Sequence, residues 1–239
     1  MGRSLRILNI GNTHVQVFDS PGPDSFIPGS SCPTADFDPR SQTQFAQDLA
    51  VASVVPALTE TFRQMGVFVV SGAVKLPFAP SGLDLSGVGA DRLANAAALL
   101  DGPLPALSVD FGTAITFEYV TASCQFAGGA ILPGRMLLRQ ALHDHTAQLP
   151  LLPLYDTVPP LPGMNTVDAM RIGTDGAVIG AVQSLIGQWK RSCAPDSLRI
   201  IACGGDRGFF LKNLDNLSDG GDLFTIRGIR KLWEYHHAC

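Results

Sequence analysis

The sequence predicts an α/β fold built twice over, as two similar halves that each surround a central mixed sheet. Three features carry that reading. Leu5 to Ile10 is an apolar run that meets Gly11-Asn12-Thr13, after which Val15, Val17 and Phe18 resume a strand pattern, as in a hairpin with a tight glycine turn. Roughly one hundred residues later the device returns: Leu107-Ser108-Val109-Asp110 meets Phe111-Gly112-Thr113, and Ile115, Phe117 and Tyr119 alternate with Thr116, Glu118 and Val120. Around these hairpins, short apolar runs alternate with helical stretches, the rhythm of parallel α/β units. Gly102, Pro103 and Pro105 mark a connection, so the halves are expected to span residues 1–104 and 105–239 with a cleft between them.

Each element follows from local pattern. Val51 to Pro56 is a short apolar strand, Leu58 to Met65 has helical composition, and Val67 to Val70 is a strand bounded by Gly66 and Gly72. Asp91 to Leu100 reads as a helix that Asp91 can cap, with Leu93, Ala97 and Leu100 on one face. Thr166 to Trp189 is the longest helix; Gly173, Gly176 and Gly180 lower its propensity and are expected to permit close packing. Leu198 to Cys203 is a buried strand ending at Gly204-Gly205, whereas Ser20 to Ser41, rich in Pro, Ser, Gly and Asp, reads as an exposed loop.

Composition excludes several classes of function. The 239 residues are 46% hydrophobic and 16% charged, ordinary for a soluble globular protein with a sizeable core. Apolar stretches break well before the roughly 18 residues a membrane-spanning helix needs. Arg3 and Arg6 precede a short apolar segment, but Gly11-Asn12-Thr13 interrupts it without a cleavage site, so the expected location is the cytoplasm. A net charge of -4 and the lack of any basic run argue against a nucleic-acid partner. The cysteines at 32, 124, 193, 203 and 239 form no Cys-x-x-Cys pair, which suggests neither a disulfide framework nor zinc.

Chemistry is expected at the glycine turns. A sharp turn leaves backbone N–H groups free to meet an anion, and two such turns could hold the phosphates of a nucleotide from both sides. Gly204-Gly205 adds a place where backbone can lie against a flat ligand. Each turn could equally be only a hairpin, Asp91 only a helix cap, and Asn165-Thr166 with Asp168 only a capping arrangement. His143-Asp144-His145 alternates along a predicted helix, so its side chains diverge, which favours a surface role over a metal site.

Asn9-Ile10-Gly11-Asn12-Thr13, Gly112-Thr113 after Asp110, and Gly204-Gly205 resemble the two phosphate motifs and the adenosine motif of the superfamily of acetate kinase, hexokinase and actin. More narrowly, Ser53-Val54-Val55-Pro56, Gly89-Ala90-Asp91-Arg92-Leu93-Ala94-Asn95, Asp110 to Thr116, Gly128 to Gly134, Thr146 to Pro150 and Asn165 to Met170 resemble type III pantothenate kinase, in that family's order. The resemblance implies a duplicated ribonuclease H-like (actin-like ATPase) fold and ATP-dependent phosphorylation of pantothenate, the first step toward coenzyme A. It implies Asp91 as proton acceptor and Gly89, Ala90, Arg92 and Thr166 as further substrate contacts. Asp110 would hold a monovalent cation, K+ or NH4+, while Asn9 to His14, Thr113, Gly204 and Gly205 would meet ATP with Mg2+. It also implies a homodimer.

The chain departs from the family at specific positions. The first phosphate motif begins with Asn9 where the family has aspartate, and asparagine lacks the negative charge that attracts a hard dication. Ser81 to Val88 contains neither the Tyr nor the Pro usual before the Gly-x-Asp-Arg motif, which bears on the acceptor pocket. Two further readings therefore stand beside the kinase: an impaired homologue acting as a binding or regulatory protein, and a kinase for another small acceptor.

Overall fold

A computed structural model describes residues 4–193 and 198–238. Arg3, read above as part of the charged start, and Cys239 lie outside the described residues. In chain order the strands and helices begin with β1 (Leu5–Ile10), β2 (His14–Gly22), β3 (Ser25–Pro33), β4 (Leu49–Ser53), α1 (Pro56–Gln64), β5 (Phe68–Val69), β6 (Ala79–Pro80) and α2 (Ala90–Ala98). They continue with β7 (Ala106–Phe111), β8 (Ala114–Val120), β9 (Gln125–Phe126), β10 (Ile131–Pro133), α3 (Arg135–Asp144), α4 (Thr166–Ser192), β11 (Arg199–Cys203), α5 (Arg207–Asn213), β12 (Ser218–Asp219) and α6 (Phe224–His237).

These elements form two compact units. One comprises the chain up to Pro103, Ser123–Ala127 and everything from Leu223 onward; the other comprises Leu104–Ala122 and Gly128–Asp222. The crossing at Pro103 falls in the connection read from Gly102, Pro103 and Pro105, while the last helix, α6, folds with the first unit.

The duplication is visible strand by strand. In the first unit the sheet order is β3-β2-β1-β4-β5, with β1–β2 and β2–β3 antiparallel and β1–β4 and β4–β5 parallel. In the second, β10, β8, β7, β11 and β12 lie side by side with the same alternation: β10–β8 and β8–β7 antiparallel, β7–β11 and β11–β12 parallel. Each unit thus starts as a meander and ends in parallel crossovers.

The stretch Ser20 to Ser41 is not the loop that its composition suggests. It completes β2, forms β3 and passes into short 3-10 turns. Nearly every β3 residue is exposed, and Pro28 sits opposite Phe18 on the outer strand, where an N–H is not needed by a further neighbour. A solvent-facing edge lacks the apolar alternation that makes a strand legible.

Each unit has its own core. In the first, Leu8, Ile10, Val15, Val17, Leu49 and Val51 of the sheet pack with Phe62 of α1. Helix α2 is buried from Leu93 to Ala98, and its small side chains let α6 approach closely. At Gly228 an added Cβ would overlap the Ala94 carbonyl, and Thr225 donates to the Asn95 side chain at 2.7 Å beside this crossing. In the second, Phe111 stacks on Phe210 at 4.0 Å, and Val178, Val182 and Ile186 of α4 cover the sheet. Gly173, Gly176 and Gly180 are exposed on α4, and among the described residues no atom outside the helix's own nearby backbone comes within 4 Å of a Cβ placed at any of them. Among the described residues no helix is long and apolar enough to cross a membrane.

The α2–α6 crossing yields a direct test. Gly228→Ala should force the helices apart and destabilise the protein by about 1–3 kcal/mol, read as a lowered Tm by circular dichroism. An unchanged Tm would mean that the two helices separate without penalty.

Candidate active site

The first glycine turn is closed by its own backbone and braced by a residue the sequence reading overlooks. Gly11 N–H donates to His14 O at 3.0 Å, and Thr34, just past β3, donates its hydroxyl to Gly11 O at 2.8 Å and its N–H to Thr13 O at 2.9 Å. Asn12, Thr13 and His14 are exposed, while Ile10 is buried in the strand below them. Asn9 lies opposite Gln16 in the β1–β2 ladder and donates its amide to the Gln16 side chain at 3.3 Å.

Asp91 stands in the first turn of α2, but it is not the cap. Gly89 is the N-cap, with no side-chain cap hydrogen bond, and Asp91 folds its carboxylate back over it to accept the Arg92 N–H at 2.8 Å. A Cβ at Gly89 would come within 2.6 Å of the Asp91 Oδ1, so a side chain there would displace the carboxylate from this position. Burial pushes the Asp91 carboxyl above the ordinary aspartate value, outweighing the backbone N–H bonds and the Arg92 charge that pull it down. Such a group is a better proton acceptor than a solvated aspartate. Arg92 and Ala90 flank it on the same turn.

In the second unit, three turns converge through backbone. Cys203 and Asp110 are register partners at the ends of β11 and β7, so the turns that follow these strands lie side by side. Gly204, at φ +87, has no room for a side chain: a Cβ there would lie 2.6 Å from Phe111 N and also meet the Asp110 carboxylate. Gly134, ahead of α3, donates its N–H to Thr113 O at 2.9 Å, and a Cβ on it would overlap Gly112 O and lie 2.7 Å from Thr113 O. Gly112, Thr113 and Gly205 are exposed at this junction. Exposed main chain without side chains is the kind of surface that can lie against a phosphate or a flat ring.

Beneath this junction lies a charged cluster that the sequence reading also missed. The Arg135 guanidinium forks onto Asp206 at 2.7 and 2.8 Å and sits 3.4 Å over the Phe209 ring. Asp175 takes two bonds from Arg139, at 2.8 and 2.9 Å, and lies 3.4 Å from Arg135. Arg135 and Arg139 also donate to the carbonyls of Tyr155 and Pro153. Their signal was two arginines four residues apart, hence on one helix face.

Thr166 opens α4 and is exposed; Asn165 caps the helix by accepting the Asp168 N–H at 2.9 Å. His143, Asp144 and His145 are exposed, with His143 Nδ1 2.9 Å from Leu149 O. Among the described residues no three His, Cys, Asp or Glu side chains gather as a metal cage.

The profile of the type III pantothenate kinase family matches residues 33–188. A type III pantothenate kinase of Exiguobacterium sp. is 33% identical over 207 residues, covering 82% of this chain and 80% of its own. That of Rubrobacter xylanophilus is 38% identical over 204 residues, covering 79% and 76%. Among solved structures, a Baf-family protein of Campylobacter jejuni superposes with a TM-score of 0.63 at 20% identity, over 96% of this chain and 98% of that one. A ROK-family glucokinase of Streptomyces griseus superposes with a TM-score of 0.58 at 9% identity, over 96% and 99%. The structural likeness places the fold with the sugar kinases and actin-like ATPases.

The raised Asp91 carboxyl has a signature in stability. Its contribution is fully present below the unfolded value of 3.8 and is lost as pH rises through the higher folded-state value. Asp91→Asn keeps an acceptor for the Arg92 N–H without the buried charge. The variant should therefore gain Tm relative to the native chain as pH is raised from about 3 to about 7; a constant Tm difference across that range would refute the shift.

Proposed function

The chain belongs to the type III pantothenate kinase family, and from that membership we infer that it transfers the γ-phosphoryl group of ATP to pantothenate, giving 4′-phosphopantothenate for coenzyme A biosynthesis. It is a phosphotransferase with an alcohol acceptor. The observation that carries this reading is the match over residues 33–188, which contains Asp91, Arg92, Asp110, Thr113 and Thr166.

Asp91 takes the proton of the pantothenate hydroxyl as that oxygen attacks the γ-phosphorus; the bond to the bridging oxygen breaks and ADP leaves with its electrons. The raised affinity of this carboxyl for a proton supports the role. Arg92 holds the pantothenate carboxylate, for which its planar fork is suited, with Gly89, Ala90 and Thr166 completing the acceptor side. For ATP, the family resemblance assigns the Gly11 to His14 turn of the first unit and, in the second, the backbone at Thr113, Gly204 and Gly205.

A divalent cation, when bound, neutralises charge on the β- and γ-phosphates. The residues fit an ion held largely by phosphate and water, since Asn9 offers one neutral oxygen and no acidic cage gathers there. Asp110 is assigned to K+ or NH4+. A homodimer is supported by the outward glycine face of α4 and by the exposed Ile131, Leu137, Leu161 and Met164. We place the enzyme in the cytoplasm.

The purified protein, given ATP, Mg2+ and pantothenate, should form 4′-phosphopantothenate detectable by mass spectrometry, faster with K+ or NH4+ than with Na+. Absence of product from folded protein would overturn the assignment. Asp91→Asn should lower kcat by about 10²-fold or more, and the acidic limb of native kcat/KM should lie above the ordinary aspartate range. Asn9→Asp should lower the Mg2+ concentration needed for half-maximal rate, and an unchanged requirement would mean that residue 9 does not contact the metal or its water shell.

A further inference from the structure

We propose that the Arg135–Asp206 ion pair is a positioning device that fixes the Gly204-Gly205 turn against the Gly112-Thr113 turn, and so sets nucleotide affinity without itself contacting the nucleotide. The proposal rests on the reading of these two turns as the ATP side of the site.

The links form a closed ring. Asp206 N–H donates to Phe111 O at 3.0 Å, and Phe111 runs into Gly112-Thr113. Thr113 O accepts the Gly134 N–H at 2.9 Å, and Gly134 is covalently followed by Arg135. The Arg135 guanidinium returns to both Asp206 oxygens, at 2.7 and 2.8 Å. Asp206 comes directly after Gly204-Gly205, so a shift of its carboxylate moves that turn, while a shift of Arg135 moves the helix start packed on Gly112 and Thr113. The pair is laterally confined, because the guanidinium is 1% exposed, lies on the Phe209 ring and shares Asp175 with Arg139.

Stability alone is a poor reason for such a pair. A buried ion pair loses its hydration, and apolar residues of similar volume often stabilise as well or better. A planar fork gripping two oxygens specifies distance and angle, which apolar contact does not. Glycines 204 and 134 leave backbone surfaces that a ligand reads directly, so their relative placement controls the fit.

The test uses the full chain and isothermal calorimetry with a non-hydrolysable ATP analogue, AMPPNP, and separately with pantothenate. Arg135→Lys and Asp206→Asn should each weaken the analogue by about tenfold, with pantothenate affinity unchanged. The paired variant Arg135→Met with Asp206→Asn removes both charges together and leaves Asp175 paired with Arg139, so its Tm should fall less than that of Asp206→Asn alone while analogue binding weakens as much. Native analogue affinity in the paired variant, or an equal loss of both ligands in the single variants, would overturn the proposal. A native chain that binds no analogue would overturn the nucleotide reading itself, seen without any variant.

Discussion

No side chain fits where three backbone segments of the second unit meet, and the arrangement of that unit follows from this crowding. Gly204 lies on Phe111, and Gly134 lies on Gly112 and Thr113. The crowding originates in strand register: Asp110 and Cys203 end parallel neighbours at one level, so the chain must leave both strands at the same place. Glycine is then required twice over, at Gly204 for a positive φ as well as for space. The same geometry leaves the main chain of Gly112, Thr113 and Gly205 exposed at the carboxyl ends of parallel strands, the place where open α/β sheets commonly bind ligands.

Asp175 and Asp206 on one side and Asp91 on the other are held in contrasting ways. Asp175 meets the guanidinium groups of both Arg135 and Arg139, Asp206 takes the fork of Arg135, and the two arginines and two aspartates balance in charge. Removing one member would strand another in a low-dielectric setting, at a cost on the order of 3–5 kcal/mol. Asp91 has only backbone donors and a neighbouring arginine, and burial prevails over them. The first pattern suits a scaffold, because each carboxylate is held in a fixed direction by a guanidinium fork. The second suits proton transfer, because the same desolvation that destabilises the charged acid raises its basicity. The α2 helix start, which would ordinarily favour a carboxylate, thus presents one that is still inclined to take a proton.

What was legible in the sequence follows the same physics. The hairpins at Gly11 and Gly112 announced themselves because apolar alternation and glycine coincide there, and the strand ending at Cys203 is a continuous apolar run. Asp91 and its glycine were found, although the cap proved to be Gly89 and the acid a second-position residue. Strand β3 was not legible, since an exposed edge makes no demand for apolar residues and tolerates Pro28. Thr34 was hidden with it, because a bracing hydroxyl in an apparent loop has no pattern of its own. The arginine cluster was missed for a different reason: Arg135, Arg139, Asp175 and Asp206 are scattered in sequence and come together only through the packing of α3 with α4 and α5. The glycines of α4 permit close packing by their size, yet among the described residues nothing beyond the helix's own nearby backbone comes within 4 Å of a Cβ placed there.

Asn9 is the point at which sequence and activity pull hardest against each other, and the structure narrows the conflict. Its amide N–H group donates to Gln16 across the hairpin, a bond that an aspartate could not donate. The pair is matched, neutral and local, and Thr34 holds the turn above it from outside the hairpin. The replacement therefore changes charge while leaving the shape of the phosphate turn supported by independent bonds. In phosphoryl transfer, positioning and charge neutralisation make separable contributions. Loss of one negative group weakens attraction for a dication, whereas the Asp91 carboxyl and the backbone surfaces at Gly112, Gly134 and Gly204 are held by other contacts. On that separation, the proposed metal role of residue 9 and the proposed proton-acceptor role of Asp91 on α2 rest on different groups and are testable independently.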